Sequence, residues 1–250
     1  MPVTAFSKDA GASKITLAEA IYGPDSFDAN GFTQISKELG LDQVNLNEPA
    51  PFNEFVKVPV SGGGYIYPDF TLHRILQETD KFVSIAKMKC HYNAGITLSM
   101  KNLIGITPMT QYRSSPDHWW RSALHGDDSE TPTRLPKVIM DLVRARPIHL
   151  AVIDGVMTAE GGEVPRGTFK PVQPGLLVAG KNMVATDAVS AALMGFDPTT
   201  ETPNVPFIRA LNHLKLANDL GLGTNKLAEI QVLGAKIDDV KYKFNPSWEM

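Results

Sequence analysis

The sequence predicts an α/β protein with a layered, mainly parallel β-sheet flanked by helices. Uncharged apolar runs at residues 150–153 and 176–179 are typical of strands covered on both faces. Segments with one apolar helical face alternate with such runs along the chain, and this alternation favours an α/β layer fold. The chain has 250 residues, 43% of them hydrophobic and 20% charged, which is enough for a buried core. We expect one α/β domain over residues 1–250.

The predicted strands are short apolar runs bounded by turn residues. Five runs meet this description: Phe55–Val60, Phe82–Lys87, Ile148–Ile153, Gly175–Ala179 and Glu229–Leu233. Apolar residues recur on one helical face in three further segments, which are predicted to be helices: Pro136–Arg144, Val184–Met194 and Val205–Leu220. The pattern continues on both sides of Asp128–Pro136, so this polar stretch is predicted to be an exposed connection within the domain and not a linker between domains.

Charge and cysteine content exclude several classes of protein. A formal net charge of -3 and a pI near 6.1 give no attraction to nucleic acid or to an anionic membrane. The single cysteine, Cys90, excludes an internal disulfide framework and an iron–sulfur cluster that this chain alone would ligate. No run approaches the roughly 20 apolar residues of a membrane span, and the first residues lack a secretory pattern. We therefore expect a cytoplasmic protein.

The densest cluster of polar side chains follows the predicted strand Phe82–Lys87. Ligands usually bind at the carboxyl ends of strands in open α/β sheets. A lysine there could bind an anion, or act as a base if burial lowered its pKa. Thr97 and Lys101 are four residues apart and would share a face of a helix. A solvated loop is the competing interpretation. The candidate residues are His91, Lys101 and Lys89 as catalytic groups, and Thr97, Asn102 and Ser99 as substrate-binding groups.

Three carboxylates also follow predicted buried strands or lie near glycines. Asp154 precedes a glycine at the end of one strand, Glu160 precedes Gly161, and Asp187 lies in the first turns of a predicted helix. Carboxylates on loops suit a hard divalent cation such as Mg²⁺ and also suit general base catalysis. Turn formation by Asp-Gly pairs and the helix dipole explain the same acids without a ligand. The sequence leaves both interpretations open.

Three other features are weaker signals. His118 and His125 flank two tryptophans, which favours a packed lid over a pair of metal ligands. Cys90 lies beside His91, but adjacent residues on a strand point to opposite faces, which argues against a thiolate nucleophile. His213 has no informative neighbours in the sequence.

These polar segments carry a resemblance to a known family. The run from Lys89 to Gly105, with its Gly-Ile-Thr-Leu and Lys-Asn-Leu-Ile-Gly motifs, resembles the signature of the domain-of-unknown-function family numbered 362. Asp154-Gly155 with Glu160-Gly161, and the segment from Ala179 to Pro198, resemble its later motifs in the same order. The signature region spans about residues 81–198. The resemblance implies a shared site but no settled reaction.

The resemblance also bears on partners. Members often carry a ferredoxin-like iron–sulfur module or a twin-arginine export signal, and this sequence shows neither. The family pattern places an extra strand and helix before the region corresponding to Ile15–Tyr22, so the sheet is either shortened or completed by another chain. A homo-oligomer is therefore an open expectation.

Two functions follow from these observations. The first is an enzyme acting on a small anionic metabolite, with lysine, histidine and carboxylate groups and with metal assistance left open. The second is an accessory or electron-transfer binding protein that works with a separate iron–sulfur partner. A shortened, inactive family member remains the third alternative.

Overall fold

The computed structural model describes residues 2–165 and 167–246. The strands are β1 (Thr16–Glu19), β2 (Asp42–Asn45), β3 (Val56–Pro59), β4 (Asp69–Leu72), β5 (Val83–His91), β6 (Gly95–Thr97), β7 (Leu150–Glu160), β8 (Lys170–Val172) and β9 (Leu176–Gly180). The helices are α1 (Pro2–Asp9), α2 (Ser26–Ala29), α3 (Phe32–Leu39), α4 (Ile75–Glu78), α5 (Ser99–Asn102), α6 (Met109–Tyr112), α7 (Ser122–His125), α8 (Thr131–Ala145), α9 (Met183–Leu193), α10 (His213–Asp219) and α11 (Ile237–Val240). Two 3-10 turns lie at Leu103–Ile106 and Leu227–Glu229.

The central sheet is built around β5 and β7, which pair in parallel. The short strand β6 pairs antiparallel with the end of β5. On the other side of β7, β9 pairs antiparallel with its first half and β8 with its last residues. The predicted α/β class is confirmed, and the sheet is mixed, with its long central pair parallel. Two small two-stranded sheets accompany it, β1 with β2 in parallel and β3 with β4 antiparallel.

Helices cover one face of the central sheet. Helix α9 packs on β7 and β9, α5 packs on β5, and α8 and α10 pack behind them. The opposite face is open around Ile85 and Leu177, whose side chains are 50% and 61% exposed. The prediction that both faces of residues 176–179 are covered is therefore wrong, since no described helix packs on that side of β9.

Most predicted elements are confirmed by the structure. The first four predicted strands correspond to β3, β5, β7 and β9, and two predicted helices correspond to α8 and α9. The predicted connection Asp128–Pro136 is wrong in its second half, because α8 already begins at Thr131.

Two predicted elements are wrong. The segment Glu229–Leu233 forms no strand, since no neighbouring strand pairs with it. The helix predicted at Val205–Leu220 begins only at His213, because Pro206 interrupts the segment and Asn212 caps the helix that follows. The Asn212 Oδ1 accepts hydrogen bonds from the backbone N–H of Leu214 at 2.8 Å and of Lys215 at 3.2 Å.

Candidate functional site

The β5–β6 hairpin places three candidate residues on one side. Lys89 and His91 are two residues apart on β5, so their side chains point in the same direction. Thr97 is the cross-strand partner of Lys89, and paired residues project to the same face. The hairpin thus presents an amine, an imidazole and a hydroxyl together.

Gly95 lets another part of the chain approach this hairpin. Its φ is +76°, and a Cβ atom there would lie 2.8 Å from the Pro206 carbonyl oxygen and 2.9 Å from Cδ1 of Phe207. Phe207 in turn makes an edge-to-face contact with His213, with 5.5 Å between the ring centroids. The absence of a side chain at position 95 therefore allows the segment that brings His213 to pack against β6.

Lys101 lies on α5, immediately after the hairpin. Thr97 belongs to β6 and α5 begins only at Ser99, so the prediction that Thr97 and Lys101 share a helix face is wrong. Lys101 is only 8% exposed, and its Nζ forms no hydrogen bond or ion pair with any described residue. Burial, followed by the charges of Lys89 and Arg121, lowers the pKa of Lys101 to about 8, while the Glu163 carboxylate acts in the opposite direction.

Three buried imidazoles have pKa values that the charge of the Lys101 amine lowers. Burial lowers the pKa of His91 well below its usual value, that of His125 to about 4 and that of His213 to about 3. In all three, the charge of Lys101 is the largest contribution after burial. The rings are therefore neutral at pH 7, and the charge of the same ammonium group acts on all three.

Hydrogen bonds indicate which ring nitrogens carry the protons. The Nδ1 atom of His91 accepts the backbone N–H of Asn93 at 3.2 Å, so the proton of the neutral ring is on Nε2. That Nε2 lies 4.0 Å from Oε1 of Glu163. The Nδ1 atom of His125 faces the Arg121 carbonyl oxygen at 3.1 Å and donates to it, which leaves a lone pair on Nε2. The Nε2 atom of His91 is thus a donor and that of His125 an acceptor.

Several polar atoms of this cluster have no partner. The Thr97 hydroxyl and both ring nitrogens of His213 are buried without a hydrogen bond to any described residue. Leaving such a group unsatisfied costs about 1–3 kcal/mol, so native structures rarely bury them without a partner. Together with Lys101 Nζ, they are suited to an anionic ligand, which accepts hydrogen bonds from an ammonium, a hydroxyl and an imidazole N–H.

Ser99 and Asn102 contribute to the framework beside the site. The buried Asp187 carboxylate accepts hydrogen bonds from the Ser99 N–H at 2.9 Å, the Ser99 hydroxyl at 2.7 Å and the Met100 N–H at 3.0 Å. Burial raises the pKa of Asp187 to about 6, and these hydrogen bonds oppose the effect. Asn102 donates to the Ser84 hydroxyl at 3.2 Å and to the Ile85 carbonyl at 3.3 Å. These contacts fix α5 to α9 and β5, and so hold Lys101 in position.

The three carboxylates predicted as metal ligands have different partners and do not converge. Asp154 pairs with Lys87 at 2.6 Å on the open face of the sheet. Glu160 accepts from the backbone N–H and the side-chain amide of Asn245, at 2.9 and 2.8 Å. Asp187 binds the start of α5, as described above. Among residues 2–165 and 167–246, no group of three or more histidine, cysteine or acidic side chains could hold a metal ion. The predicted metal site is therefore not formed by these acids.

Cys90 points away from the lysine–histidine cluster. Its thiol donates to the Asn245 carbonyl oxygen at 3.2 Å, and burial raises the pKa of Cys90 to about 12. The sulfur is thus a packed thiol, in agreement with the argument from strand alternation.

Sequence reasoning missed four residues of the site. His125, His213 and Arg121 come from distant segments, and Glu163 comes from the loop after β7, where it accepts the Tyr92 N–H at 2.8 Å. The tryptophans around His125 indicated packing, and one of them does contact its ring, with 4.8 Å between the centroids of Trp120 and His125. No local pattern marks these residues, because only long-range packing brings them to Lys101.

A comparison with known families identifies the family of the chain. The profile of the family described as "Domain of unknown function (DUF362)" matches residues 2–192. The chain belongs to the DUF362 family. The matched region contains the β5–β6 hairpin, Lys101 and Asp187, whereas Phe207 and His213 lie beyond it. The site thus combines side chains from inside and outside the matched region.

A curated relative is the thylakoid-associated protein sll1697 of Synechocystis sp. (strain ATCC 27184 / PCC 6803 / Kazusa). It is 25% identical to this chain over 174 residues, which are 66% of this chain and 50% of that protein. The chain therefore spans about half the length of this relative. No solved structure matches the chain at a significant level. No helix among the described residues is both long and apolar enough to cross a bilayer.

Proposed function

We propose that this DUF362 protein is an enzyme that binds a small anionic metabolite at Lys101 and exchanges a proton with it through the Lys101 amine. The observation that carries the proposal is a buried lysine without a partner, beside a buried hydroxyl and a buried imidazole that also lack partners. A carboxylate or phosphate group supplies the acceptors that all three require.

The chemical roles follow from the protonation states. Lys89 and Lys101 provide positive charge, and the Thr97 hydroxyl and His91 Nε2–H provide neutral hydrogen bonds. The sequence predicts His91 as the group that transfers a proton, but its Nδ1 is occupied by the Asn93 N–H and its pKa is low. We therefore assign proton exchange to Lys101, whose pKa of about 8 lies near neutral pH, where general acid–base groups are most effective.

Binding of an anion has a defined pH dependence under this proposal. Lys101 carries its charge below about pH 8 and loses it above that value. The affinity for an anion should therefore fall as the pH rises through 8. Bound anion also favours the ammonium, so the pKa of Lys101 should increase in the complex.

Isothermal titration calorimetry with propionate, lactate and inorganic phosphate tests the proposal at pH 6.5, 8 and 9.5. We expect binding of at least one of these anions by the wild-type chain, weaker binding at pH 9.5, and at least tenfold weaker binding by Lys101→Met, about 1.4 kcal/mol. The matched control is Lys37→Met, which removes an exposed lysine on α3 and should bind as the wild type does. Equal binding by Lys101→Met and the wild type would reject the site.

A further inference from the structure

A buried primary amine with no partner is chemically distinctive. Most lysines are protonated at pH 7 and cannot attack an electrophile, because the nucleophile is the neutral amine. Enzymes obtain a neutral lysine by burying it or by placing a second cation beside it. Lys101 shows both conditions, since it is 8% exposed and the charge of Lys89 acts on it.

The surroundings of Lys101 also suit an electrophile that carries an anion. The unpartnered Thr97 hydroxyl and the Nε2–H of His91 are donors that a carboxylate can accept from. The lone pair on Nε2 of His125 is directed away from the Arg121 carbonyl and can accept a proton. The Lys101 region thus contains hydrogen-bond donors for a carboxylate, a nucleophilic amine and a proton acceptor.

We propose that Lys101 forms an imine with a small carboxylate that carries a ketone or aldehyde, the chemical class of 2-oxo acids. The inference rests on the proposed anion site and names its substrate class. The lone pair on Nζ attacks the carbonyl carbon, a C–N bond forms, and the C=O π electrons move to oxygen. The two amine hydrogens then leave with that oxygen as water. The step needs neither oxidant nor reductant.

The fraction of reactive amine can be compared with that of an ordinary lysine. With a pKa of about 8 instead of 10.5, the neutral fraction of Lys101 at pH 7 is about 300-fold larger than that of an unperturbed lysine. The rate of imine formation at pH 7 should therefore favour Lys101 over surface lysines.

Trapping with borohydride tests the inference on the full chain. The protein is incubated with pyruvate at pH 7 and 8, treated with sodium borohydride, and measured by intact-mass spectrometry and peptide mapping. We expect one reduced pyruvate adduct per chain, located on Lys101 in the wild-type protein. Because mapping of the wild type assigns the site, the result does not depend on whether a variant folds. Lys101→Arg should give no adduct, and Lys37→Arg should give the wild-type adduct.

The outcomes separate this inference from the proposed function. Propionate has the same carboxylate but no carbonyl, so it should bind and protect Lys101 from trapping without forming an adduct. Binding of propionate with no pyruvate adduct, or with adducts spread over exposed lysines, would overturn the imine while the anion site stands. Failure of propionate, lactate, inorganic phosphate and pyruvate to bind would overturn both proposals.

Discussion

Replacing Lys101 with methionine should stabilise the ligand-free protein, because the wild-type chain buries an ammonium that forms no ion pair with a described residue. The pKa of Lys101 falls from 10.5 to about 8 on folding, and a tenfold change in ionisation corresponds to about 1.36 kcal/mol. Keeping the charge at pH 7 therefore costs the folded state roughly 3 kcal/mol. Methionine has a similar length and no charge, so we expect Lys101→Met to gain about 1–3 kcal/mol after repacking losses.

The sign of the pH dependence gives a second, internal check. Below about pH 8 both the folded and the unfolded chain carry the Lys101 proton, and the full cost is present. Between about 8 and 10.5 the folded chain has released the proton while the unfolded chain still binds it, so the stability of the wild type rises with pH. The advantage of Lys101→Met should therefore shrink across this range and vanish above it.

Urea unfolding followed by far-UV circular dichroism measures both effects between pH 6.5 and 10.5, in buffers without carboxylate or phosphate ions. The exposed-site control Lys37→Met should follow the wild type within about 0.5 kcal/mol at every pH. A Lys101→Met variant that is less stable than the wild type at pH 7 would refute the reasoning. So would a difference that stays constant from pH 7 to 10.5, because the charge would then not be its cause.

The remaining predictions use the same unfolding assay. Gly95→Ala should lose about 1–3 kcal/mol, because its positive φ is strained for alanine and the added Cβ meets backbone; stability equal to the wild type would contradict the close contact. Ser99→Ala should lower the free energy of unfolding by about 1–3 kcal/mol at pH 7 and by less at pH 4. The Asp187 carboxylate that accepts the Ser99 hydroxyl has a pKa of about 6 and is therefore largely protonated at pH 4. An equal loss at both pH values would contradict this assignment of the hydrogen bond to an ionised Asp187. Asp154→Ala should change stability by less than about 1 kcal/mol, because its ion pair with Lys87 lies on the open sheet face; a larger loss would show that this pair is not a surface contact.

Local patterns were sufficient to predict much of the fold. The apolar runs of β5, β7 and β9 and the apolar face of α9 are properties of consecutive residues, so periodicity identifies them. Glu229–Leu233 has the composition of a strand, but a strand also needs a partner with free backbone groups, and no described strand pairs with it. The helix at α10 was predicted too long because its apolar spacing extends back across Pro206, where the backbone N–H is missing.

The candidate site was only partly accessible to the same reasoning. Lys89 and His91 lie at the end of β5, and Thr97 and Lys101 follow within ten residues, so chain order alone indicated them. The three acids predicted as metal ligands do not converge, because chain position does not determine which direction a carboxylate faces. His125 and His213 were missed because each owes its place to tertiary packing alone.

The close contact at Gly95 has a consequence for how the protein acquires its site during folding. The β5–β6 hairpin and α5 form from neighbouring residues, whereas Phe207, which contacts His213, packs against Gly95 from more than a hundred residues further along the chain. Contacts of such large sequence separation are slow to form, because the loop entropy is lost before they contribute. A chain that has formed its sheet but has not packed Phe207 against Gly95 already buries much of its core, yet His213 is not in its final position. If the proposed anion site is correct, ligand binding at Lys101 is a more stringent sign of complete folding than secondary-structure content.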